Sequence, residues 1–362
     1  ATSNRCDSLI KMFSVGLLVF VAAAASAIEV NNIQQLENAK KGNNKVITLK
    51  NIQVPAGQSL DLMTNLKPGT TVEFAGRITF GFKLWDGPLV KIKGKNLNIV
   101  GKPGHVIDGE GRRWWDGKGQ RGNRKPNAIY VQLEDSKVTG LYLKNAPAWG
   151  FSINGCKNTH FQQITVDNKD GHTKGALNTD GFGVAASRNV RITNSKVNNQ
   201  DDCLALQSDC DHIYFENNVC EGGHGIAVIG GYGNPKPITN IFIRGCQVIK
   251  NNIGIRVKTM RGGKGLVKGV TFDNIVLKDI SDTGIMIMGN YYNGGPNGNP
   301  TNGCPIQDLT INNVRGNVYK NGTNVRIVVA NDASNWKWNS NVVGGTQKRE
   351  CKGAPRGVRV PC

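Results

Sequence analysis

The chain has 362 residues, with 45 Lys and Arg against 26 Asp and Glu, a formal charge of +19 and 46 glycines. Val and Ile recur throughout and the glycines keep no three-residue period, which excludes a disordered chain and a collagen; a single long apolar run excludes a multi-span membrane protein. The cationic excess speaks of partners rather than fold, and leaves nucleic acid, an acidic polysaccharide or a merely soluble basic surface.

The apolar run comes first. Phe13 to Ala25 follows Met12 and ends in Ser26-Ala27, a small-x-small site. This reads as a secretory signal peptide beginning at Met12 and cut after Ala27, too short for a membrane anchor. Residues 28–362 would form the mature, secreted, extracellular domain. Export favours the polysaccharide over nucleic acid. Eight cysteines remain, an even count that suggests disulfides in an oxidising compartment, with Cys351 and Cys362 one candidate pair. None has the spacing of a zinc site, so neither metal nor cofactor is expected. The sequon Asn321-Gly322-Thr323 is a candidate glycosylation site.

Residues 30–39, Val-Asn-Asn-Ile-Gln-Gln-Leu-Glu-Asn-Ala, predict a short helix that closes one end of a larger body. From about residue 90 a loose pattern recurs: apolar, any, apolar, any, then Asn, Gln or Gly. Its copies are centred on Ile99, Leu143, Phe161, Ile192, Phe215, Ile243, Phe272 and Ile311. Each copy is a short alternating strand, bounded by Asn, Gly and Asp turns. Steps of 18, 31, 23, 28, 29 and 39 residues between copies from Leu143 onward suit a solenoid better than a propeller or sandwich. The fold class is therefore all-β, a single-domain right-handed parallel β-helix. Like residues stack over like at ~4.8 Å per coil. Residues 335–362 lose the pattern and are expected to cover the far end.

Polar residues interrupt this stack at regular intervals. Asn178-Thr179-Asp180-Gly181-Phe182 holds one carboxylate, and Gln200-Asp201-Asp202-Cys203 holds two. His224 stands between glycines, and Arg256-Val257-Lys258 puts two cations on one strand face. Asp180, Asp202 and His224 are 22 residues apart in turn, and Arg256 follows 32 later, steps that match coil lengths. Singly, each Asp is an ordinary turn residue and the histidine a structural one. Together on one stack they predict a cleft in which crowded carboxylates compete, so that one keeps its proton. A protonated acid beside ionised partners is what glycoside hydrolysis requires. The two cations are candidates to hold a substrate carboxylate.

These four segments, with Tyr291 in Tyr291-Tyr292-Asn293-Gly294-Gly295-Pro296, His105-Val106-Ile107-Asp108-Gly109 and Trp115-Asp116-Gly117-Lys118-Gly119, resemble the polygalacturonases, the pectin-hydrolysing β-helix glycosidases. The likeness spans roughly residues 30–362. It implies an endo-polygalacturonase acting on α-1,4-linked polygalacturonate by inversion, without metal. Asp202 would be the general acid, Asp180 and Asp201 would activate water, and His224 would tune the proton on Asp202. Arg256 and Lys258 would bind galacturonate carboxylates and Tyr291 would orient the sugar. Cys203 and Cys220 would form a disulfide between adjacent coils. A monomer is expected, with no nucleic-acid partner and no membrane contact in the mature form. Gly183, Ala227 and Ile229 depart from the family pattern, the first as a minor change and the other two as changes that would reshape the cleft wall.

One conflict is built into this expectation. Groups on adjacent coils stand ~5 Å apart, a spacing usual for retaining glycosidases, where inverting ones need ~6.5–9.5 Å. The resemblance implies inversion, with the water held by Asp180 and Asp201. The alternatives are an exo-acting enzyme, a hydrolase of a related pectin, a calcium-dependent lyase on the same fold, and a pectin-binding protein without turnover.

Overall fold

The structure is a computed structural model that describes residues 26–292 and 294–362. The expected signal peptide falls almost wholly outside these residues. Ser26 and Ala27 are described: the Ser26 carbonyl accepts from the Lys45 and Val46 amides, and strand Ala27–Val30 pairs with Val46–Lys50.

The short helix is Ile33–Lys41. It starts where Asn32 accepts from the Gln35 amide at 2.9 Å, satisfying one of the free amides of the first turn. Its Lys40 is buried, with Nζ donating to the Asp61 carbonyl at 2.7 Å and meeting Glu37 at 2.7 Å. These partners allow a charge to sit at the closed end.

Three parallel ladders run the length of the molecule and wind into a right-handed parallel β-helix. The first passes through Leu60, Val90, Ile129, Phe151, Phe182, Leu204, Ile226, Ile255, Ile285 and Val325. The second passes through Ile99, Val138, Phe161, Ile192, Phe215, Ile243, Phe272 and Ile311. The third includes Ile107, Leu143, Val166, Val197, Cys220, Val248 and Leu277. All of these side chains are buried and form one continuous core. Phe151 stacks on Phe182 with centroids 5.5 Å apart, and Phe182 meets Phe215 at 6.2 Å. Each such side chain contributes about 1.5–3 kcal/mol by leaving water, so the core is a sum of similar layers.

Two expectations need correction. The copy centred on Leu143 lies in the third ladder; Val138 takes its place in the second. The reason is that strands of both ladders alternate in the same way, and the pattern carries no label for the sheet. Residues 335–362 also do not simply cover the end: Lys337–Val343 pairs with Thr310–Val318, and Cys351–Lys352 with Thr323–Val328. Winding therefore continues to the chain's last strands.

The corners explain the asparagines. Asn194, Asn217, Asn274 and Asn313 sit two residues past the second-ladder core positions, with φ between 50° and 56°, and Gly245 takes the same place after Ile243 at φ 62°. Asn tolerates this left-handed geometry because its short side chain bonds locally. Asn313 Nδ2 donates to Asn274 Oδ1 at 3.2 Å, one rung of a polar ladder.

Candidate active site

The site grows from the turns that precede three consecutive strands of the first ladder: Phe182–Ala185, Leu204–Leu206 and Ile226–Gly230. Phe182, Leu204 and Ile226 are in register, and Asp180, Asp202 and His224 each stand two residues ahead of them. The turns are stitched by Gly181 N to Asp202 O and Cys203 N to Gly225 O, both 2.8 Å. Only glycine fits at 225, where φ is +75° and a Cβ would collide with the Ile253 and Gly254 carbonyls.

Arg256 and Lys258 come from strand Ile253–Met260 and face outward, in register with Ala227 and Ile229. The 32-residue step from His224 to Arg256 is thus not one coil. It is one coil plus three positions along the strand, and Arg256 lies beside the histidine's column. Both cations are nonetheless buried, because they turn back over the intervening coil to Asp202. Arg256 pairs with Asp202 Oδ1, and Lys258 Nζ lies 3.5 Å from Oδ2.

Tyr291 reaches the cleft through a bulge. Strand Thr283–Tyr292 pairs Met288 with Lys258, but Tyr291 with Met260, so one extra residue is inserted. Strict alternation would turn Tyr291 to the other face; the bulge returns it to the face of Lys258. Lys258 Nζ then sits 4.6 Å from the Tyr291 ring centroid.

The three carboxylates differ in surroundings. Burial raises Asp180 well above the ordinary carboxyl range, and the charges of Asp201 and Asp202 push it further. Burial also acts on Asp201, but is outweighed: His224 Nδ1 at 3.0 Å, the Arg256 charge and the Asp202 amide hold it below the usual value. Asn178 Nδ2 binds its other oxygen at 2.9 Å. Burial lowers Lys258, though the Asp202 charge opposes this. The structure thus brings all seven singled-out residues together but distributes their contacts differently from expectation. His224 touches Asp201, not Asp202: its amide donates to the Asp201 backbone carbonyl at 2.7 Å, which holds the imidazole beside the Asp201 carboxylate.

Sequence reasoning missed Asn199. It is fully buried, and its Nδ2 donates to the carbonyls of Thr179, Asp201 and Asp202 at 2.9, 3.0 and 3.0 Å. One amide thereby fixes the backbone of the Asp180 and Asp202 turns. Its only sequence signal is its place in an Asn-rich turn, shared by many asparagines without this duty.

Asp201, Asp202 and His224 offer one ligand atom each within 4.8 Å of one another. Asp202 already meets two cationic side chains and Asp201 a histidine and two N–H donors, so this donor set is engaged by the chain itself. The chain joins Cys203 to Cys220, directly after Asp202, and Cys351 to Cys362. Cys156, Cys210, Cys246 and Cys304 are buried free thiols, so the even count overstated the pairing. Burial pushes the first three up to about 12, which keeps them unreactive.

A cleft of about 880 Å³ opens over Asp201, His224, Arg256, Lys258 and Tyr291, walled by Lys118 and Arg121. It continues past Asp180, Asp202 and Trp149 toward Ser152 and Asn154. The sequence model of the glycosyl hydrolases family 28 matches residues 45–362. The chain belongs to this family. A polygalacturonase of Penicillium griseoroseum is 44% identical over 318 residues, covering 86% of this chain and 84% of that protein. Endopolygalacturonase I of Aspergillus oryzae is 43% identical over 344 residues, covering 93% and 92%. The solved endopolygalacturonase I of Stereum purpureum, complexed with two galacturonates, superposes with a TM-score of 0.80 at 33% identity, covering 88% of this chain and 95% of that one. The family member is a glycoside hydrolase on a parallel β-helix, and no helix of its described residues is long and apolar enough to cross a membrane.

Proposed function

We propose that the protein is a secreted, monomeric endo-polygalacturonase that hydrolyses α-1,4 links of de-esterified galacturonan with inversion. The observation that carries this reading is three crowded carboxylates facing two buried cations on the floor of one open cleft. A neutral glycan gives no reason to bury Arg256 and Lys258, whereas a uronate does.

Arg256 keeps a buried Nε without a partner. A galacturonate carboxylate docking there shares Arg256 and Lys258 with Asp202. Asp202 then loses part of its counter-charge as it takes up the proton it needs as general acid. Asp180, raised by burial and by its acidic neighbours, is the store from which that proton comes. Asp202 donates it to the departing glycosidic oxygen, while Asp180 and Asp201 take the proton of a water attacking the anomeric carbon. His224 and Asn178 hold Asp201 ionised and aimed. Tyr291 packs against the sugar beside Lys258.

Endo action is supported by the way the cleft runs on from the carboxylates in both directions along the stack. The test is parallel viscometry and reducing-end release on polygalacturonate. Viscosity should collapse when few ends have formed; monomer release at slowly falling viscosity would mean exo action, and binding without new ends would mean a non-catalytic protein.

A further inference from the structure

The outward face of the first ladder continues beyond the site as a register of floor positions. Running toward the N-terminus, Ala205 pairs with Gly183, Gly183 with Ser152, Ser152 with Tyr130 and Tyr130 with Lys91. The next outward row holds Ala185 in register with Asn154, and, two strands further on, Gln132 in register with Lys93. The floor is small at Gly183 and Ser152, where Ser152 Oγ is buried without a partner, and Tyr130 stands between Ser152 and Lys91. Its far end holds two lysines side by side on strand Val90–Lys95.

Neither lysine is spoken for. Lys95 on the same strand pairs with Glu134 and Asp135 at 3.1 and 3.3 Å, whereas Lys91 and Lys93 enter no ion pair among the described residues. Asp61, in register with Lys91, is turned to its own Met63 and Thr64 amides. Lys91 is half-buried and Lys93 exposed. The pair lies three coils, ~14 Å, from the coil of Phe182 that carries Asp180. A 1,4-linked uronate advances along its chain by a length close to one coil, so three to four sugars span the interval.

We propose that Lys91 and Lys93 form an outlying carboxylate subsite that grips the same polyuronate chain three to four sugars from the bond being cut. The proposal rests on the reading of the cleft as a galacturonan site. It makes the protein sensitive to chain length. A trimer cannot reach from the carboxylates to the lysines, and a hexamer can.

The experiment compares the wild type with the double variant Lys91→Gln/Lys93→Gln on trigalacturonate and hexagalacturonate. Two solvent-accessible charge contacts, one half-buried and one exposed, predict that kcat/KM on the hexamer falls about three- to tenfold while the trimer is unaffected. An equal fall on both substrates, or no fall on either, overturns the subsite. Should the wild type cleave neither, the catalytic reading fails separately. Affinity electrophoresis through polygalacturonate then decides the subsite, with Lys157→Gln/Lys196→Gln, on the other two ladders, as a charge control. Weaker retardation of the Lys91/Lys93 variant than of the control supports it; equal retardation of the two variants overturns it.

Discussion

Asp202 and Arg256 are 54 residues apart in sequence and form an ion pair in which both side chains are almost fully buried. Asp202 lies in the turn before strand Leu204–Leu206 and Arg256 on strand Ile253–Met260, with strand Ile226–Gly230 between them, so the arginine reaches back across a whole layer. A buried pair of this kind is costly to break from one side, because the survivor keeps its charge without a partner. Catalysis and stability are therefore linked at Asp202.

Asp202→Asn should reduce kcat on polygalacturonate by about 10²–10⁴-fold, the range for losing a positioned acid. It should also lower the melting temperature, since Arg256 and Lys258 lose their counter-charge, at a cost of about 3–5 kcal/mol. Circular dichroism melts alongside reducing-end assays check both. A variant that is inactive yet as stable as the wild type would contradict the buried pair.

Asp180→Asn should behave in the opposite sense on stability. The native Asp180 carboxyl lies above its unfolded value of 3.8, so the folded state retains a proton that the unfolded state releases as pH rises. Its stabilising share is present below that unfolded value and is lost as pH climbs through the native one. The Asn variant escapes this loss. Its stability, read from melts at each pH, should match the wild type near pH 3 and exceed it increasingly toward neutrality, by about 1.4 kcal/mol for each unit of displacement. A constant offset across the pH range would refute the assignment.

His224→Gln removes the partner that helps hold Asp201 below the usual range. Asp201 then ionises at higher pH, and the acid-side limb of the kcat profile should move up. An unchanged limb with lower kcat would mean that His224 acts elsewhere than on Asp201.

Asn199→Ala strips one donor from three carbonyls at once. The loss of buried hydrogen bonding should cost about 1–3 kcal/mol in urea melts, and the loosened turns should lower kcat more than they raise KM. A change in KM alone would place Asn199 outside the geometry of the acids.

Much of this was legible in the sequence, for a physical reason. A solenoid converts equal spacing along the chain into proximity, so the 22-residue steps of Asp180, Asp202 and His224 translate directly into a column. Arg256 was less legible because a coil of different length and a shift along the strand produce the same residue count. Tyr291 owes its place to a bulge that no periodicity announces. The partner choices inside the cluster, His224 with Asp201 and Arg256 with Asp202, depend on side-chain direction, which spacing does not encode. Asn199 was hidden among corner asparagines of identical type.

The central claim is that Asp180, Asp201 and Asp202, with the cations opposite them, cut an α-galacturonan bond by direct attack of water. Proton NMR of the first reducing ends released from polygalacturonate tests it most directly. The account predicts that the β-anomer appears first and the α-anomer only later by mutarotation. Initial release of the α-anomer would contradict it.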